Sequence, residues 1–524
     1  MSRDFDIAIV GSGFGGSLLA MVARQLGRSV VLIERGRHPR FAIGESSTPL
    51  ANLILEQLAG RYRLDGLAQL TKWGTWQGTH PEIACGLKRG FTFYHHRPGQ
   101  RWAPQPDRGN ELLVAASPND AIADTHWYRA DFDHFLVQEA QRLGVEYLDE
   151  TQLVLAEMVA GGSVLNGVRD GKELSIRARW VVDATGPRGF VHRALGLGER
   201  AIQSMPKTEA LFTHFTGVKR WGEMHRAEEQ PPYPVDDAAV HHVFPGGWIW
   251  MLRFNNGITS AGVAATDAVA RRCEFGRGAA GWERLLDELP DVAAQFADAS
   301  PVQPFVHSRA LSFLAREVTG PGWALLPSSA GFVDPLLSSG FPLTLLGIER
   351  LARMIECDWG TERFDAALES YAQQTIRELE ITAELVGALY SSMQDFEQFA
   401  AVTTLYFAAA MTAETRRRLG AGGSESDEGP AFLLENDPVF GPALRQCLAN
   451  CHESGGKSRR ARLEAIRSAI EPVNLARLGD PKRRNWYPCL AQDLLDAVPK
   501  IGVERATIEA LLARCGFAGT TRVS

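Results

Sequence analysis

The sequence predicts an α/β protein in three parts: a Rossmann-type nucleotide-binding domain, an inserted and mainly antiparallel β-sheet domain, and a helical C-terminal region. Three observations carry this expectation. A glycine-rich turn lies between two strand patterns at residues 5–36, an aromatic and strand-like stretch runs from about Thr208 to Gly262, and the pattern turns helical after Leu343 almost to the end. With 524 residues, 45% apolar and 22% charged, the chain buries a core large enough for two or three packed units.

Taken in order, Phe5 to Ile9 alternate into a short buried strand, "VGSGFGGSLLAMVARQLG" gives a glycine turn and a helix, and "SVVLIERG" gives a second strand. This is a βαβ unit. Gly11, Gly13 and Gly16 match GxGxxG, and Glu34 closes the second strand 18 residues after Gly16, near the spacing of an acid that binds a ribose hydroxyl. One glycine turns the chain, one lets the backbone approach a pyrophosphate, one lets helix and strand pack, and the helix N-terminus faces the anion. In "ACGLKRGFTF", Lys88 and Arg89 sit between small residues and an alternating aromatic strand, so one of the two is expected to point inward. "DFDHFLVQEAQRLG" reads as a helix capped by Asp131, with Phe132, Phe135, Leu136, Ala140 and Leu143 on one face and Gly144 as its stop. The strand "VEYL" follows, then a hairpin returning to a buried strand that ends at Asp183. In "HHVFPGGWIWMLRFNNGITSAGV" the alternate residues Trp248 and Trp250 face the same way, while His241 and His242 read as structural. In "GFVDPLLSSG", Asp334 and Pro335 follow a buried strand, and the amides around Ser338, Ser339 and Gly340 begin the helix "FPLTLLGIERLARMIE". Gly420 to Pro430, polar and glycine-rich, reads as a mobile loop.

Composition excludes several classes. The net charge is −7 and the basic residues are scattered among acids, so no nucleic acid partner is expected. The seven cysteines are odd in number, widely spread and without a CxxC pair, which argues against a disulfide framework and against a metal site. Cys447 and Cys451, at i and i+4, read as two buried thiols. The first residues form a strand rather than a secretion signal, and no run reaches the ~18 apolar residues of a spanning helix. A soluble, cytoplasmic protein without stable membrane insertion is expected.

The βαβ unit, "VVDATGPRGFVHRALG" and "GFVDPLLSSG" occur in the order used by FAD-dependent monooxygenases of the aromatic-hydroxylase fold. More narrowly the chain resembles the flavin-dependent halogenases: "IGESSTP" (Ile43 to Pro49) is similar to their loop after the second strand, "GLKRGFTF" places Lys88 at their catalytic lysine, and "GGWIW" is similar to the first part of their WxWxIP motif. The resemblance covers roughly residues 5 to 350. It implies a discontinuous FAD-binding domain (1–80, 130–205 and 300–355), a substrate-side sheet domain (81–129 and 206–299) and a helical region (356–524). It also implies FAD contacts from Gly11, Gly13, Phe14, Gly15, Gly16, Glu34, Arg35, Ser46, Ser47, Arg129, Ala184, Gly186, Asp334, Pro335, Ser339 and Gly340. Three departures stand out: Leu252 and Arg253 replace the Ile and Pro of WxWxIP, Pro327 and Ser328 replace a "GD" whose Asp bonds the ribityl chain, and Leu337 stands where tryptophan halogenases carry Glu.

The resemblance implies an oxidoreductase of secondary metabolism that uses reduced FAD, oxygen and halide to halogenate an electron-rich aromatic metabolite, free or tethered to a carrier protein. Lys88 relays the oxidant. A lysine titrates near ~10.4 in water and burial lowers that value, so a buried amine is partly neutral and able to hold or carry the oxidant. Trp248 and Trp250 keep substrate from the flavin, and Leu337, Ser338, Ser339 and Gly340 lie at the halide position. No second GxGxxG unit for a nicotinamide cofactor is visible, which favours a separate flavin reductase as partner. Two alternatives stay open: an FAD monooxygenase or dehydrogenase that does not use halide, and a flavin-binding protein without turnover.

Overall fold

The computed structural model describes residues 3–158, 161–420, 429–452 and 458–517. β1 (Arg3–Val10), α1 (Phe14–Gln25) and β2 (Val30–Ile33) form the expected βαβ unit, with Ile7 paired to both Val30 and Trp180. After it come α2 (Pro49–Arg61), β3 (Cys85–Lys88), β4 (Gly90–His95), β5 (Glu111–Ala115) and β6 (Asp124–Trp127). The chain then returns through α3 (Arg129–Arg142), β7 (Glu146–Leu148), β8 (Thr151–Glu157), β9 (Ser163–Arg169) and β10 (Lys172–Asp183).

Strands β11 (Thr208–Thr216), β12 (Ala239–Phe244), β13 (Gly247–Arg253) and β14 (Thr259–Thr266) follow, and β15 (Trp323–Leu325) joins the first sheet. Beyond it lie the helices α4 (Gly340–Cys357), α5 (Arg363–Ser392), α6 (Phe396–Arg418) and α7 (Phe440–His452), and a short strand β16 (Trp486–Tyr487).

Two sheets organise the molecule. The first has the order β15-β10-β1-β2-β7, these five parallel, with the two-residue strand Thr319–Gly320 antiparallel on the outside of β15 and with β9 and β8 added as a hairpin on the outer half of β10. Ile7, Ala8 and Ile9 of β1 are all fully buried, the pattern of a parallel strand covered on both faces, and α1 packs against α3 and α4. The second sheet runs β11-β14-β13-β12-β4-β5-β16, and its neighbours are antiparallel except β12 with β4 and β5 with β16. Alternation sorts its side chains to two cores. Phe91, Phe93, Trp248 and Trp250 join the main core with Phe399, Tyr406 and Phe407 of α6, whereas Tyr94, Phe244, Ile249 and Met251 pack with Trp221 and Trp282 in a second.

Some local expectations change. Asp131 is not a cap: the helix begins two residues earlier, at Arg129, where an i,i+4 ion pair to Asp133 steadies its first turn, and Asp131 Oδ2 instead accepts from the Ala84 amide at 3.1 Å. Lys88 and Arg89 are both buried, because β3 ends at Lys88 and β4 starts at Gly90, so the two do not alternate on one ladder. Residues 421–428 of the glycine-rich loop lie outside the described residues. Among the described residues, no helix is long and apolar enough to cross a membrane, and no cluster of three or more His, Cys, Asp or Glu stands ready for a metal.

Candidate active site

Two of the N-terminal glycines build a cradle that tolerates nothing larger. Gly11 has φ +100°, and a Cβ on it would lie 2.6 Å from the Ala184 carbonyl oxygen; a Cβ on Gly16 would lie 1.9 Å from the Gly11 oxygen. Gly13 is the N-cap of α1 and brings no side chain to the first turn, so the helix presents bare N–H groups and the positive end of its dipole. Gly15 lets α1 approach Leu326 and Thr344, and Phe14 packs edge-on to Trp127 and Phe341.

At the end of β2, Glu34 accepts from the Ser12 amide and hydroxyl at 3.1 Å and from the Gly36 amide at 3.0 Å. Burial would raise its carboxyl, but Arg40 at 3.3 Å and these donors hold it below the usual range. Arg35 is exposed at this corner, and Arg40 supplies the positive charge instead. The Arg129 guanidinium forks onto Asp133 at 2.7 Å, donates to the carbonyls of Ile43 and Gly44, and comes within 3.4 Å of where a Gly13 Cβ would stand. It therefore flanks the cradle while pinning the loop Ile43–Pro49. At the far side Ala184 donates its amide to Val10, and Gly186 (φ +83°) donates to Ser329 Oγ at 3.1 Å. The short helix Pro327–Ala330 thus reaches the cradle through Ser329, next to the half-buried Ser328.

Lys88 sits at the other end of the same loop. Its side chain is fully buried; the ammonium donates to Ser46 Oγ at 2.8 Å and to the Ser47 carbonyl at 2.5 Å, and it lies 3.9 Å from the Phe91 ring centre. Across the β3–β6 ladder its partner is Asp124. Burial pulls the Lys88 amine down to about 7, with the Asp124 charge opposing; burial likewise pushes Asp124 up to about 7, with Lys88 opposing. Asp124 Oδ1 accepts from Asn52 Nδ2 at 2.7 Å, and Asp124 lines a cavity of about 470 Å³ whose wall also includes Phe91, Val114, Pro342, Tyr406 and Phe407. That volume, and a wall that mixes these apolar side chains with charged ones such as Glu414 and Arg418, suit a small ring compound that carries a polar group.

The third part is the segment that follows the two-residue strand Gly331–Phe332. Asp334 is buried; its Oδ1 accepts from Trp248 Nε1 at 3.1 Å and from the Leu336 amide at 3.0 Å, and its Oδ2 from the Tyr390 hydroxyl at 2.9 Å. Burial pushes its carboxyl up to about 6 against these three donors. After Pro335, Leu337 (φ +65°) and Ser338 (φ +56°) occupy the left-handed region in succession, a conformation that costs of order 1–3 kcal/mol per non-glycine residue. Ser339 then leads into α4, whose first residue Gly340 would meet nothing within 4 Å of an added Cβ. Trp248 and Trp250 lie side by side with ring centres 5.8 Å apart, and His241 stacks between Phe93 and Trp248, with burial driving its imidazole down to about 3.

The structure thus brings the glycine cradle, Arg129, Ser46, Ser47 and Lys88 onto one connected path, and joins Trp248 to Asp334. Arg253 lies apart from both, donating to the Val218 carbonyl at 2.9 Å and lying 3.5 Å from Asp236. Four residues gave no sequence signal: Arg40, Asn52, Asp124 and Tyr390. Asn52 and Tyr390 sit on long helices far along the chain from their partners, and Asp124 starts a strand of only four residues.

Comparison with known proteins agrees with this fold. The family model described as "FAD dependent oxidoreductase" matches residues 6–322. The chain is 28% identical over 491 residues to the monodechloroaminopyrrolnitrin halogenase PrnC of Pseudomonas fluorescens, covering 91% of this chain and 83% of that one. It is 29% identical over 378 residues to the tetracycline 7-halogenase of Kitasatospora aureofaciens, covering 69% and 66% of the two. The crystal structure of halogenase PltM in complex with phloroglucinol and FAD superposes with a TM-score of 0.79 at 21% identity, over 91% of this chain and 99% of that one, which establishes a shared fold. FAD fits the residues present: the cradle leaves no room for a Cβ at Gly11 or Gly16, a bare helix N-terminus would face a pyrophosphate, and the space beside Gly340 is open at the start of α4. By its family match over more than half its length, its cradle and its sheet order, this chain belongs to the FAD dependent oxidoreductases.

Proposed function

We propose that the protein is an FAD-dependent halogenase, acting on a small electron-rich aromatic metabolite, with Lys88 holding the oxidant at the substrate. One observation carries the reading: a lysine with no exposed surface donates to the loop tied to the dinucleotide cradle and lies against Phe91 and opposite Asp124, two wall residues of a ring-sized cavity. Bound FAD, delivered in reduced form by a separate flavin reductase, supplies hypohalous acid when oxygen and halide are present. The residues of this chain do the rest.

Burial pulls the Lys88 amine well below the ordinary lysine range, so its ammonium gives up a proton more readily than a surface lysine does. Its ammonium donates to the oxygen of hypohalous acid and polarises the oxygen–halogen bond while a ring carbon attacks the halogen. The ring loses a proton, the oxygen leaves as water, and a C–H bond has become a C–X bond. The backbone from Ser338 to Gly340, with Leu337, holds halide at the start of α4, and Asp334, Pro335, Ser339 and Gly340 hold the flavin edge. Gly11, Gly13, Phe14, Gly15, Gly16, Glu34, Arg129, Ala184 and Gly186 hold the nucleotide half, with Arg35 at its margin, and Ser46 and Ser47 bridge the cofactor side to Lys88. Trp248 and Trp250 fill the space through which a substrate would otherwise reach the flavin, so the ring meets hypohalous acid rather than the cofactor.

The test is a turnover assay with FAD, a flavin reductase and bromide, on free phenols, pyrroles and indoles and on a pyrrole-carbonyl carrier-protein thioester. Mass spectrometry is expected to show the paired isotope pattern of bromine. Added oxygen alone would make the protein a monooxygenase. Flavin oxidation with no altered arene across the whole panel would contradict turnover on aromatics.

A further inference from the structure

We infer that Asp124 is the specificity-determining acceptor of the cavity: its Oδ2 takes the hydrogen of a ring N–H or O–H on a neutral aromatic substrate and rejects arene carboxylates. The inference rests on the halogenase reading for the identity of the cavity as the substrate site. Asp124 is 6% exposed, and of its two oxygens only Oδ1 has a partner, Asn52 Nδ2 at 2.7 Å. Lys88, its neighbour across the ladder, directs its ammonium to Ser46 Oγ and the Ser47 carbonyl. A buried carboxylate oxygen without a donor is costly, and such atoms are satisfied in nearly every folded protein. Here the atom belongs to a wall residue of a cavity whose lining joins Phe91, Val114, Pro342, Tyr406 and Phe407 to charged side chains, of which Glu414 and Arg418 act on Asp124. An apolar ring carrying one hydrogen-bond donor completes both requirements at once: its faces meet the aromatic wall and its donor meets Oδ2. A carboxylate on the ring would instead bring a second negative charge up to ionised Asp124, on a wall where Arg418 is already paired with Glu414 at 2.8 Å.

Direct binding tests this without turnover. Isothermal titration of the protein, free of FAD and at pH ~8.5 so that Asp124 is ionised, uses three matched pairs: resorcinol and 1,3-dimethoxybenzene, indole and 1-methylindole, aniline and N,N-dimethylaniline, with 3,5-dihydroxybenzoate as the anionic probe. In the pair bound most tightly, the donor-bearing member is expected to bind about tenfold better than its methylated twin, the worth of one hydrogen bond to a charged group. 3,5-Dihydroxybenzoate is expected to bind more weakly than resorcinol. Because Asn52 donates to Oδ1, the amide of Asp124→Asn turns its nitrogen to the cavity, and the preference is expected to fall to about threefold or less. FAD affinity and the circular dichroism spectrum should stay unchanged. Equal binding within every pair, tight binding of the benzoate, no binding by any pair, or a preference that survives in folded Asp124→Asn overturns the inference. The wild-type arm decides even where the variant does not fold. A donor preference in a protein that never brominates an arene would sink the halogenase reading and leave Asp124's role standing; bromination with no donor preference would do the reverse.

Discussion

At the scale of single residues, the chemistry depends on groups whose surroundings are not those of water. Lys88 is the sharpest case. Burial lowers its amine to about 7, and Asp124 is the charge that opposes the fall. The other titratable groups facing it, His126 and His241, are kept neutral by burial and add no competing charge at neutral pH. Turnover is therefore expected to show a limb with an apparent pKa near 7, and ¹⁵N-lysine NMR should find one lysine titrating there while surface lysines titrate near ~10.4. Removing the Asp124 charge in Asp124→Asn should move that limb to lower pH; a limb that stays put, or rises, would show that Asp124 does not act on Lys88. Gly16 offers a second residue-scale check. A methyl group 1.9 Å from the Gly11 oxygen forces the cradle open, so Gly16→Ala is expected to weaken FAD binding at least about tenfold, read by fluorescence of the bound flavin.

At the scale of elements, the notable contact joins three of them: Trp248 on β13, Tyr390 on α5 and Asp334 before α4. Together they hold the chain just ahead of the strained pair Leu337 and Ser338. Tyr390→Phe removes one donor from a buried carboxylate and is expected to cost about 1–3 kcal/mol in urea unfolding. The pH dependence follows from the direction of the Asp334 shift. Its folded value, about 6, lies above the unfolded value of ~3.9, so the stability it contributes is complete below the unfolded value and is lost as pH rises through 6. Tyr390→Phe raises the folded value further, and the variant should fall furthest behind the parent above pH ~7 and recover toward pH ~5. A penalty that does not vary with pH would mean Asp334 is not the partner that matters.

At the scale of the whole molecule, the glycine cradle and the cavity beside Asp124 are two compartments joined by the loop Ile43–Pro49, held by Arg129 on one side and Lys88 on the other. Blocking one compartment should spare the other. Ala410→Trp, on the α6 wall of the cavity, is expected to cut turnover by at least about tenfold with FAD affinity unchanged. What the sequence made legible follows the same division. The βαβ unit could be read because its glycines and Glu34 lie within one local stretch whose spacing is set by the turn itself. Lys88 could be singled out by its resemblance to a family motif, and Trp248 and Trp250 by alternation. Asp124 and Asn52 stand 72 residues apart and Asp334 and Tyr390 stand 56 apart, so only tertiary pairing brings them together. Asp131 misled because its local pattern fits a cap, while the Arg129–Asp133 ion pair starts the helix earlier. The central claim is that Lys88 governs what happens to the oxidant and not whether the cofactor binds. Lys88→Met, which keeps the volume and loses the amine, should bind FAD as tightly as the parent and oxidise it at the same rate with bromide and oxygen, yet give at least about a hundredfold less brominated arene by mass spectrometry. Undiminished bromination by the folded variant would contradict the account.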